Sequence, residues 1–119
     1  MPTTVSDAVL REMVERIVRG FDPERIILFG SQARGDAHAH SDVDLLVVMP
    51  DGTDRRAAMR AMLSELCGVG TPKDVVVMTT EDVERYGTLV GTVLRPALLE
   101  GRTLYERRGA VNTPMVAVR

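Results

Sequence analysis

Apolar residues recur at every fourth position through Val5, Val9, Met13 and Ile17, which predicts an amphipathic helix over 5–19. Ser6 or Thr4 can cap it, and Gly20 can stop it. RIILF at 25–29 is an unbroken apolar run ending at Gly30 and reads as a short buried strand. A turn over 31–35 and a polar loop to Ser41 follow. DVDLLVVM at 42–49 predicts a second strand, broken by Pro50, Asp51 and Gly52. Residues 53–67 show the clearest helical period: Ala58, Met62 and Leu66 form one row, Met59, Leu63 and Cys67 the next, and Arg56, Arg60 and Ser64 lie opposite. KDVVVMT at 73–79 is a third strand. Thr80 is expected to cap a helical stretch from Glu81, with a second piece over 88–99 that Pro96 kinks or restarts. Gly101 ends that piece, and RTLY adds a short edge strand.

The order helix, strand, strand, helix, strand, helix predicts an α/β (α+β) domain, a small mixed β-sheet flanked by helices that lie mainly on one side. With 119 residues the chain fits one domain. That domain is expected over 1–106, with a loosely held tail over 107–119. Phe21, Phe29, Tyr86 and Tyr105 are the only aromatics, so the core must come from Val, Leu, Ile, Met and Ala. The same scarcity argues against aromatic platforms for single-stranded nucleic acid. A formal net charge of −2 gives no general attraction to nucleic acid or to an anionic membrane. Cys67 is the single cysteine, so no intrachain disulfide forms, and its place on the apolar side of the helix predicts an inert core thiol. No signal peptide or bilayer-length apolar run is evident, which makes the cytoplasm the expected compartment.

Chemistry is concentrated in FGSQARGDAHAHSDVDLLVV at 29–48. Asp42 and Asp44 stand two apart at the start of a strand, so they share one face about 7 Å apart along the chain. Two such carboxylates repel each other unless a cation lies between them. Mg²⁺ takes one or two carboxylates together with substrate phosphates, and two ions about 3.5–4 Å apart are the usual arrangement for displacement at phosphorus. Gly30 has no Cβ and lets a ligand reach the backbone. The amides that follow it, the Ser31 hydroxyl and Arg34 can donate to phosphate oxygens. Either half has a commonplace use, since Gly-Ser and Ser-Asp both occur in ordinary turns. Their combination across ten intervening residues is specific.

This stretch resembles the signature of the DNA-polymerase-β-like nucleotidyltransferases: Gly-Ser, a spacer, then Asp-x-Asp. Its GSxARG…SDxDLLV form is similar to the minimal nucleotidyltransferase (MNT) family, and LLEGRTLYE resembles that family's usual close. The likeness extends over residues 5 to about 106. It implies the nucleotidyltransferase fold, with Asp42 and Asp44 as metal ligands and Gly30, Ser31 and Arg34 at the nucleotide. It also implies a third carboxylate that binds metal or takes the acceptor's proton. Asp74, which opens the third strand, matches that position; Asp51, Asp54 and Asp82 are alternatives in turns or helix starts, where carboxylates also serve as caps. Gln32 stands where many members carry a basic residue.

What the resemblance implies is a Mg²⁺-dependent enzyme using ATP, with two ions. Its partner would be a HEPN-type toxin, onto whose tyrosine AMP is transferred, so that the chain acts as an antitoxin. The chain has no acceptor pocket of its own, so homo- or hetero-oligomerisation is expected to supply one. Two other readings stay open: an antitoxin that neutralises by binding alone, and a small-molecule enzyme of the aminoglycoside type. His38 and His40 read as exposed loop residues, Arg55, Arg56 and Arg60 as a solvated helix face, and Met59, Met62 and Met78 as core.

Overall fold

A computed structural model describes residues 6–30, 43–86 and 101–107. Helix α1 spans Asp7–Phe21, and the Ser6 hydroxyl oxygen caps it by accepting the Val9 N–H at 3.2 Å. Gly20 does not stop it. The chain runs one residue further to Phe21, and Asp22 turns left-handed at φ 52° while its N–H bonds to the Val18 carbonyl at 3.0 Å. A short Asx side chain tolerates that conformation.

Strands β1 (Arg25–Phe29), β2 (Val43–Met49), β3 (Lys73–Thr79) and β4 (Arg102–Glu106) form one sheet in the order β3-β2-β1-β4. β1 runs antiparallel to both β2 and β4, whereas β2 and β3 are parallel. A parallel pair needs a crossover, and helix α2 (Arg55–Glu65) lies on it. Asp54 starts that helix by accepting the Ala57 N–H at 3.1 Å. Helix α3 (Thr80–Tyr86) follows β3 directly.

Strand alternation gives the sheet two apolar faces. On one, Met13 and Ile17 of α1 and Met62 of α2, together with Leu66, pack on Ile26, Leu28, Leu45, Val47 and Val75. Burying each large side chain there contributes about 1.5–3 kcal/mol. On the other face Val83 of α3 covers Ile27, Leu46 and Val48, with Phe29, Val76 and Met78 half-buried beside them. Two of the three described helices thus lie on one face, as expected, and α3 covers the other. Its cap is Thr79 rather than Thr80. The Thr79 hydroxyl accepts the Asp82 N–H at 3.2 Å, and the Asp82 carboxylate accepts the Thr79 N–H at 3.1 Å, a reciprocal capping box. The freed Thr80 hydroxyl donates instead to Glu24.

Two further expectations are corrected. Cys67 is exposed: α2 ends at Glu65, so the apolar row was extended past the last helical turn. Arg107 is not loosely held. Its N–H donates to the Glu24 carbonyl at 2.9 Å, and its guanidinium pairs with Asp22 at 3.0 Å. Val5, the loop over 31–42, the helix expected over 88–99 and the tail from 108 lie outside the described residues. Among the described residues no helix is long and apolar enough to cross a membrane.

Candidate active site

Asp44 is the second residue of β2, and the alternation that buries Leu46 and Val48 against α3 sends its side chain to that same face. Asp74 is the second residue of β3 and shares a face with Val76 and Met78 in the same way. The parallel register pairs Asp44 with Asp74 directly. Neighbouring strands lie about 4.8 Å apart, so the two carboxylates emerge side by side from one rung of the sheet. On the other flank Asp44 is paired with Phe29 of β1, a neighbour that the sequence pattern alone did not single out.

Gly30 closes this rung. Its φ is +79°, a conformation that disfavours any residue with a Cβ. A Cβ there would also collide with the Asp44 Oδ2 atom and lie 3.3 Å from its Cγ. The Asp44 carboxylate therefore leans over the bare backbone at the end of β1. Asp74 is exposed, and its Oδ1 atom accepts the following Val75 N–H at 3.0 Å, which fixes the carboxylate at the strand's start.

Three of the six predicted site residues, Gly30, Asp44 and Asp74, are thus brought together. Asp42, Ser31 and Arg34 lie outside the described residues, as do Gln32, His38 and His40. The alternative carboxylates are employed elsewhere, beyond the opposite ends of β2 and β3. Asp54 caps α2, Asp51 accepts the Glu81 N–H at 2.8 Å, and Asp82 caps α3 and pairs with Arg55 at 3.1 Å. Burial opposes the charge on Asp82, but the Thr79 N–H and hydroxyl, with Arg55 and Arg85, outweigh it and hold the carboxyl below its ordinary range. Among the described residues no group of three or more His, Cys, Asp or Glu is placed to hold a metal ion; Asp44 and Asp74 are a pair in register. Two carboxylates on adjacent strands, one of them seated over the Gly30 backbone, suit a hard divalent ion that also carries phosphates.

The chain has sequence relatives, and solved structures superpose on its fold. The bifunctional uridylyltransferase/uridylyl-removing enzyme of Bordetella pertussis is 41% identical over 78 residues, 63% of this chain but 9% of that protein. A Methanocaldococcus jannaschii protein, whose name assigns it protein adenylyltransferase activity, is 35% identical over 98 residues, 81% of this chain and 56% of its own length. The chain therefore spans only part of these relatives. A crystal structure from Sulfolobus solfataricus, assigned as a nucleotidyltransferase, superposes with a TM-score of 0.60 at 22% identity, covering 86% of this chain and 81% of the other. A structure of a tri-AMPylated Shewanella oneidensis HEPN toxin with its MNT antitoxin superposes with a TM-score of 0.50 at 19% identity, covering 84% and 71%. Residues 10–105 match the model of the nucleotidyltransferase domain, and the chain belongs to that family.

Proposed function

We propose that this chain transfers AMP from ATP to the hydroxyl of a tyrosine on a HEPN-type partner and acts as that partner's antitoxin. The observation that carries the reading is the in-register pair Asp44–Asp74 beside Gly30. Asp42, Asp44 and Asp74 would hold Mg²⁺, and Gly30, Ser31 and Arg34 would meet the triphosphate. The bound metal supplies charge neutralisation at the phosphates and a more acidic acceptor hydroxyl. The protein's own share is positioning. Asp74 sits at the exposed edge of the pair, where it can take the acceptor's proton as the new oxygen–phosphorus bond forms. The bond between the α-phosphorus and its bridging oxygen breaks, and pyrophosphate leaves. Most of the rate enhancement then comes from orientation and electrostatics.

The names of two relatives support this chemistry: one is assigned protein adenylylation, and the other forms a complex with an AMPylated HEPN toxin. The Bordetella relative favours a second reading, in which UTP is the donor. Incubation with α-labelled ATP or UTP, Mg²⁺ and the candidate partner decides between them. Label from ATP should appear on the partner and disappear with Asp44→Asn or Asp74→Asn. Transfer from UTP alone would establish the second reading. Labelling that survives both substitutions would overturn the site itself, and protection without labelling would favour neutralisation by binding.

A further inference from the structure

The outermost face of α1 carries Asp7, Arg11, Glu15 and Arg19. Steps of four residues keep them in one row, each about 6 Å further along the axis. Their signs alternate. That spacing would allow pairing within the helix, yet among the described residues Arg11, Glu15 and Arg19 form no ion pair. The i,i+4 pair that α1 does form is Arg16–Glu12 at 2.7 Å, and Arg16 also donates to the Glu65 carbonyl at 2.9 Å, tying α1 to the end of α2. Among the described residues Asp7 pairs with Arg102, at 4.0 Å, and its side chain is 89% exposed. Alongside the row runs an open groove of about 760 Å³, lined by Ala8, Arg11, Glu15, Arg19 and Glu65.

We propose that this face is an interface between two copies of the chain, in which α1 of a second copy lies antiparallel across it. With the two-fold axis at the level of Met13, Arg11 faces Glu15 of the second copy and Asp7 faces Arg19, and each pair occurs twice. A parallel arrangement in register would set like charges against each other. The groove holds both signs in balance, which disfavours a purely acidic or basic polymer and suits an alternately charged helix. Ala8 is small, and a Cβ added at Gly20 would meet nothing within 4 Å, so both ends of the row admit a close neighbour. α1 covers the sheet face opposite Asp44 and Asp74, so both acid pairs of the dimer point outward. The interface is small and polar, which places its affinity in the range of about 10–100 µM.

Sedimentation equilibrium of the full chain tests this at about 0.05 M and about 0.5 M salt, where screening differs severalfold. The chain should dimerise in low salt, and its Kd should rise at least about tenfold in high salt. R11E alone and E15R alone should each be monomeric with unchanged circular dichroism. Mixed in equal amounts they should dimerise, because the carboxylate introduced in one meets the guanidinium introduced in the other. A wild-type chain that stays monomeric at about 1 mM in low salt, an order of magnitude above the expected Kd, would overturn the proposal. So would single variants that dimerise like wild type, or a mixture that does not.

Discussion

Replacing Gly30 with alanine separates two costs that a single substitution normally mixes. The backbone cost comes from φ +79°, where an added Cβ destabilises the chain by about 1–2 kcal/mol. The second cost is local: the new methyl group would occupy the space of the Asp44 Oδ2 atom, and the carboxylate must swing aside. Displacing a reacting group by about 1 Å costs roughly 100-fold in rate. Gly52 provides the comparison, since its φ is +92° but nothing lies within 4 Å of a Cβ built there. Gly52→Ala should therefore show the strain without the collision. Urea unfolding should find both variants weakened by about 1–2 kcal/mol. Nucleotidyl transfer, measured well below the unfolding midpoint, should fall about 100-fold for Gly30→Ala and less than about twofold for Gly52→Ala. Equal activities in the two variants would refute the claim that the glycine exists to seat the carboxylate.

Other consequences can be measured separately. Asp82 keeps its charge below the ordinary carboxyl range, so its contribution is present above about pH 4 and lost as the pH falls through its folded value. Asp82→Asn should thus cost about 1 kcal/mol at pH 7, and the gap to wild type should close in acid unfolding as the folded carboxyl takes up its proton. Cys67 should react with a thiol reagent in the native state at the rate of an exposed thiol, and Cys67→Ser should change stability by less than about 0.5 kcal/mol. Met62 is fully buried between α2 and the sheet, so Met62→Ala should cost about 2–5 kcal/mol in the same unfolding assay.

The elements that were legible in advance are those with dense local signals. RIILF and KDVVVMT are apolar runs between breaking residues, and the structure gives β1 and β3 the same limits. Helix ends were read less well because their chemistry is competitive. Asp22 took the left-handed position that Gly20 could have filled, and Thr79 and Asp82 formed the capping box that displaced Thr80. Cys67 failed for a related reason: periodicity describes a helix only while the helix lasts. At the site, alternation within each strand placed Asp44 and Asp74 on definite faces. That they share a rung depends on parallel register between segments joined by a crossover, which no local pattern encodes. The proximity of Phe29 to Asp44 was hidden likewise, being a property of the antiparallel pairing of β1 with β2.

Half of the acid pair stands on a strand that, among the described residues, is zipped to the sheet along one side only. Losing its first rung would carry Asp74 away while the buried layer beneath α1 and α2 stayed intact. Warming such a molecule should silence it before melting it, so that catalytic failure reports the fraying of one border rather than collapse of the whole.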